Sequence, residues 1–257
     1  MQITEAEILR MVASFIWPLM RISAMFVAVP VFSIKAVPVR VRLIFSVAIT
    51  LVVMPLLPPL PDVEMLSYLG FLIAAQQVLI GLVAGFVLQL VFAAVVFGGQ
   101  GIAYSMGLGF ASMVDPVSGL QVPVVAQIYI VTSTLMFLIA DGHLLLIEML
   151  VDSFNTLPIA LQGLEKVDYW ALISWGSRIF AGGLLLALPV IASLLMVNVS
   201  FGVATKAAPQ LNIFSVGFPV TLMLGLLLMW LTLPNVLDHF SGLLTDAYAL
   251  ISTLLRI

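Results

Sequence analysis

Residues 66–97 read LSYLGFLIAAQQVLIGLVAGFVLQLVFAAVVF, a stretch without a single charged side chain. As a helix it would measure about 48 Å against a hydrocarbon core of roughly 30 Å, so it must tilt, bend or leave the bilayer. It sits inside a longer uncharged run, 65–114, and others extend over 43–61, 116–140, 179–205 and 207–237. An outer-membrane barrel would show short segments alternating apolar and polar residues, whereas these runs are apolar on every face. The composition agrees. Of 257 residues, 63% are hydrophobic and 8% charged, and the mean hydropathy is +1.27. That is too little polar surface to coat a water-facing globule. The formal charge of −3 offers no field for nucleic-acid phosphates, and the absence of cysteine removes disulfides and thiolate metal sites.

Outward from that stretch, the pattern predicts an all-α membrane protein with about six long, kinked helical segments, near 11–34, 43–61, 66–97, 123–150, 170–205 and 211–237. Prolines punctuate them: Pro30 and Pro38 bracket the first turn, Pro55, Pro58, Pro59 and Pro61 end the second segment, and Pro189 and Pro219 predict bends in the last two. Glu5 and Glu7 ahead of Arg10, with no small-residue cleavage site, speak against a removable signal peptide. With loops numbered alternately, one side holds Lys35, Arg40, Arg42 and Lys206 against Asp115 alone, and the other is rich in acids; the first is assigned to the cytoplasm and both termini to the opposite side.

The stretch 98–122, GGQGIAYSMGLGFASMVDPVSGLQV, fits an ordinary bundle badly. Five glycines between 98 and 109 predict a poor helix, yet the stretch is too apolar for a solvent loop. Irregular backbone at such depth persists where it is buried in protein or lines a cavity. Met106 and Met113 flank Phe110 there, and soft thioethers of this kind can close a hole against water and ions while yielding to a large passenger. Most of the 13 methionines are expected to be core filler.

Catalytic chemistry has little to stand on. The two histidines, His143 and His239, form no H-E-x-x-H; Ser118-Gly119 lacks the glycine of a nucleophile elbow at Pro116; Gly107 and Gly109 begin a dinucleotide fingerprint that Ser112 ends. The expected metals and cofactors are none, and no enzyme activity is expected. Arg21, Asp141, His143, Glu148 and Arg178 are the ionisable residues in or beside the segments, and such residues suit a proton-coupled small-solute transporter or channel. The structural reading is preferred: Arg21 and Arg178 pair with carboxylates of neighbouring helices, and Asp141-Gly142-His143 marks a bend. Gly81 and Gly85 form a G-x-x-x-G, and Gly182-Gly183 a second small patch, for close approach of either a partner or an internal helix.

Four stretches resemble the FliR family of flagellar export-apparatus membrane proteins: PLMRISAMFVAVPVFSIKAVPVRVRLIF (18–45), MGLGFASMVDPVSGLQVPVVAQ (106–127), DGHLLLIEMLVDSF (141–154) and APQLNIFSVGFPVTLMLGLLLM (208–229). The NIFSVGFPV spelling is closer to flagellar than to virulence-type members, and Thr221 stands where many members carry lysine. The resemblance implies a non-enzymatic subunit of the type III protein export gate in the bacterial inner membrane, at the flagellar basal body. It implies a helical hetero-oligomer with FliP and FliQ, alongside FlhA, FlhB, the MS ring and rod proteins, whose pore passes unfolded rod, hook and filament subunits. It further implies that 1–180 is a FliP-like part and 181–257 a FliQ-like hairpin with a C-terminal tail. The family's plug loop matches 106–122, which would put Met106, Gly107, Leu108, Gly109, Phe110 and Met113 at the closed pore. The hairpin turn and partner contacts would involve Lys206, Pro209, Asn212, Phe214 and Pro219.

Overall fold

A computed structural model of the chain describes residues 5–33, 37–109, 123–207 and 213–257. All regular structure in them is helical: α1 (Glu5–Ala28), α2 (Pro30–Ser33), α3 (Val39–Val53) with a 3₁₀ turn at Met54–Leu56, α4 (Tyr68–Ser105), α5 (Val124–Ile139), α6 (Gly142–Thr156), α7 (Lys166–Trp175), α8 (Ser177–Ala207) and α9 (Ile213–Leu255). Five helices among the described residues are long and apolar enough to cross a membrane, or six if the broken pair α5 and α6 is a single span. Two of them exceed one bilayer thickness by a wide margin: α4 has 38 residues and α9 has 43, about 57 and 65 Å at 1.5 Å per residue.

The chain forms two compact units, one of Met1–Gln89, Ala140–Gly176 and Thr245–Ile257, the other of Leu90–Ile139 and Ser177–Leu244. In the first unit, α1 packs on the beginning of α4 with almost no spacing. A Cβ on Gly81 would lie 2.1 Å from the Arg21 carbonyl oxygen, and one on Gly85 would lie 2.6 Å from the Ala28 Cβ. The G-x-x-x-G therefore serves an internal helix pair. Trp17, Ile22, Met25, Phe26, Ile73 and Ile80 are fully buried beside it. At the break before α6, Asp141 adopts a left-handed backbone (φ 53°) and its carbonyl accepts the amides of Leu144 and Leu145, so the bend falls where the sequence placed it. The end of α9 returns to this unit: Tyr248 donates to the Gly142 carbonyl (2.8 Å) and Thr156 to the Leu255 carbonyl (2.6 Å).

In the second unit, the glycines read as helix breakers are contact points instead. Helix α4 runs unbroken through Gly98, Gly99 and Gly101 to Ser105. A Cβ at Gly98 would lie 2.6 Å from the Gly183 carbonyl, one at Gly183 would lie 2.5 Å from the Ala94 carbonyl, and one at Gly99 would meet the Ala126 Cα at 2.6 Å. Close backbone approach offsets the propensity cost of glycine in a helix. Phe92 anchors the same unit, edge-on to Phe137 and Phe240 at 6.0 and 5.4 Å. The segment expected to end at 237 continues through Asp238 and Asp246 to Leu255, so the predicted C-terminal tail is helix. Helices α8 and α9 also continue through Pro189, Pro219 and Pro234.

Candidate functional site

The described part of the glycine-rich stretch is the end of α4. Its last turn closes by two bonds, Gly107 N–H to the Tyr104 carbonyl and Leu108 N–H to the Ala103 carbonyl, both 3.0 Å. That pair, with Gly107 left-handed at φ +83°, is a Schellman cap, which satisfies carbonyls the helix end would otherwise orphan. Gly107 is thus required by backbone conformation, since a side chain there would be strained. The irregular chain begins at Met106, eight residues later than the first glycine suggests.

Helix α9 supplies the seat for this end. Met106 is fully buried, and a Cβ on Gly225 would stand 2.6 Å from its Cγ, 2.8 Å from its Cε and 2.9 Å from its Sδ. Seven residues earlier, two turns along the same helix face, the Phe218 ring lies 3.2 Å from where a Gly107 Cβ would sit. Thr221 between them is buried and returns its hydroxyl to the Phe218 carbonyl at 3.0 Å. Leu108 is half-buried, and Gly109 lies against the Tyr104 ring, whose Cδ1 would be 3.0 Å from an added Cβ. The structure therefore brings Met106, Gly107, Leu108 and Gly109 to one helix end. Phe110 and Met113 lie outside the described residues, as do Pro209 and Asn212 and the side chain of Phe214. Lys206 is exposed in the last turn of α8, where its charge complements the helix dipole, and Pro219 is exposed within α9. No sequence motif announced Gly225 or Phe218 as the seat; the only trace was their seven-residue spacing within one of the family-like stretches.

Among the ionisable residues, Arg21 departs from expectation. Arg21 is completely buried in the first unit, but its partners among the described residues are neutral oxygens and not a carboxylate. Nε donates to Gln77 Oε1 (2.8 Å), Nη1 to the Ser153 carbonyl (3.1 Å) and Oγ (3.0 Å), and Nη2 to the Leu157 carbonyl (2.8 Å). The guanidinium also lies 4.2 Å from the centre of the Phe154 ring. These carbonyls are the C-terminal end of α6, where the helix dipole is negative and cations are favoured. Asp141, Glu148 and Arg178 are each exposed, and no three potential metal ligands group together among the described residues.

Long charge-free helices, close glycine contacts and a capped helix end seated in a glycine notch define a multi-span helical membrane protein. Residues 12–247 match the family described as bacterial export proteins, family 1. The flagellar biosynthetic protein FliR of Escherichia coli (strain K12) is 40% identical over 255 residues, covering 99% of this chain and 97% of that one. FliR of Pectobacterium carotovorum subsp. carotovorum is 40% identical over 249 residues, covering 97% and 95%, and FliR of Buchnera aphidicola subsp. Acyrthosiphon pisum (strain APS) is 33% identical over 240 residues, covering 93% of each. The chain belongs to the FliR family, the non-catalytic export-gate components of the flagellar type III apparatus in the inner membrane at the basal body.

Proposed function

We propose that this chain lines the protein-conducting pore of the export gate and that residues 106–122, including Met106, Gly107, Leu108, Gly109, Phe110 and Met113, form the plug that keeps the pore closed at rest. The observation that carries the reading is the end of α4: a long apolar helix stops at a left-handed glycine, and the chain that leaves it is uncharged up to Asp115. A passage for an unfolded chain or single helix must open to about 10 Å, yet must hold back ions when idle, and flexible apolar side chains meet both demands. The pore would be completed by FliP and FliQ in a helical hetero-oligomer, with FlhA, FlhB, the MS ring and rod proteins around it, and its passengers would be unfolded rod, hook and filament subunits.

In the same reading, 1–180 is the FliP-like part and 181–257 the FliQ-like hairpin. Support for the hairpin comes from consecutive long helices α8 and α9, joined by residues 208–212, with Gly182 near the start of one against Leu243 far along the other (3.0 Å to an added Cβ). Lys206, Pro209, Asn212, Phe214 and Pro219 would then flank the turn and its partner contacts.

Deleting 106–122 and recording ion conductance across the membrane tests the plug: the deletion is expected to leak, and a membrane that stays tight rules the plug out. The mass of the intact detergent-solubilised complex tests the partnership. A solute transporter built on Asp141, Glu148 and Arg178 would work alone in liposomes; the gate subunit is expected to be inert without its partners.

A further inference from the structure

We propose that Tyr129 and Ser133 of α5 bind an internal water molecule that bridges α5 to α9 inside the second unit. The two residues stand one turn apart on the stripe that α5 buries, between Ala126 and Phe137, and are 1% and 0% exposed. Neither hydroxyl has a hydrogen-bond partner among the described residues. A buried hydroxyl left in that state is costly, so native proteins supply it with a partner, and where the surrounding side chains offer none that partner is ordered water.

The neighbours show why the chain itself does not provide one. Ala126 meets Gly99 of α4 and Phe137 meets Phe92, so this part of α5 lies along residues 92–99, FAAVVFGG, which carry no polar side chain. The intrahelical alternative is not taken either. Thr132 and Thr134 turn their hydroxyls back onto the Ile128 and Ile130 carbonyls, both at 2.8 Å, whereas Ser133 between them does not use the Tyr129 carbonyl one turn behind it. Thr232 of α9 faces the Tyr129 hydroxyl without closing a direct bond. Its own proton goes to the Leu228 carbonyl at 2.8 Å, which leaves its oxygen as an acceptor. One water that accepts from Tyr129 and Ser133 and donates to Thr232 satisfies both buried protons and makes about three bonds, the usual number for an internal water. A hard cation would want about six oxygens, far more than these three hydroxyls supply.

The sign of two substitutions decides. In the purified assembled gate, Tyr129→Phe and Ser133→Ala are each expected to lower the thermal midpoint by about 2–4 °C, because each strips the water of a bond. The double variant is expected to lose no more than the larger single loss, since the two hydroxyls share one ligand. Hydroxyls that were simply unpaired would give the opposite result, because removing them relieves a penalty. An unchanged or raised midpoint therefore overturns the inference, and so do losses that add. Should the variants not assemble, the unaltered gate decides by itself. A density map that resolves ordered water is expected to show a peak about 2.6–3.0 Å from both Tyr129 Oη and Ser133 Oγ, and a map with no peak there, or with a protein atom in its place, sinks the water. A midpoint that shifts when sodium and potassium are replaced by choline assigns a cation to the site and overturns the inference as well.

Discussion

Arg21 and Leu157, 136 residues apart, are joined by a 2.8 Å bond from a fully buried guanidinium to a helix-terminal carbonyl. An isolated buried cation is costly, and this one is stabilised without a counter-anion among the described residues, by four neutral oxygen contacts and a helix end. The planar fork of arginine reaches α4 and the end of α6 at once, which one ammonium cannot do.

Replacing Arg21 should therefore uncouple those helices. Arg21→Met leaves the Ser153 and Leu157 carbonyls and Gln77 Oε1 without their donor, an expected loss of about 3 kcal/mol. Arg21→Lys keeps the charge and should recover less than half of it. Thermal unfolding of the purified gate complex measures both; an unaltered midpoint for Arg21→Met would show that these bonds add nothing.

Glycine substitutions should divide by contact and not by helix propensity. Gly81→Ala drives a methyl into the Arg21 carbonyl and should cost about 2 kcal/mol, whereas Gly202, with nothing within 4 Å, should accept alanine with a gain of up to about 1 kcal/mol. The yield of assembled complex after heating ranks the two.

Asp141 separates backbone geometry from proton chemistry. Its left-handed φ of 53° suits asparagine or glycine, so Asp141→Asn should leave export unchanged, while Asp141→Val should cost about 1–2 kcal/mol. Export abolished by Asp141→Asn at normal protein levels would revive the proton-coupled reading.

Truncation after Leu244 removes a structural closure. It discards the buried Ala247, Ile251, Leu254 and Leu255 and the bonds from Tyr248 and Thr156, and should abolish assembly of the gate. Arg256→Ala, which breaks the exposed pair with Glu165 (2.7 Å), should cost below about 1 kcal/mol and still less at high salt. Equal effects from the two changes would mean that the end of α9 contributes only through its charges.

Much of the fold was legible because a bilayer offers few solutions to long charge-free runs: helices form, and their places follow from the charges that interrupt them. That rule erred at Asp238, where a charge was taken as a boundary although a helix can carry it onward, and at Gly98, Gly99 and Gly101, where propensity was trusted over packing. At the candidate site, the sequence exposed the anomaly of 98–122 but not its seat. The notch at Gly225 exists only because Met106 arrives from 119 residues earlier, and nothing local marks that meeting.

The sequence by itself determined the membrane class, the approximate spans and the family, since hydropathy and characteristic stretches are properties of the chain read in order. Only the tertiary structure decided that Arg21 is held by neutral carbonyls, that G-x-x-x-G serves an internal pair and that Gly107 caps a helix against Phe218. Each of these depends on which atoms remote segments bring within a few ångströms, and at that range sterics and hydrogen-bond geometry outweigh the preferences of single residues.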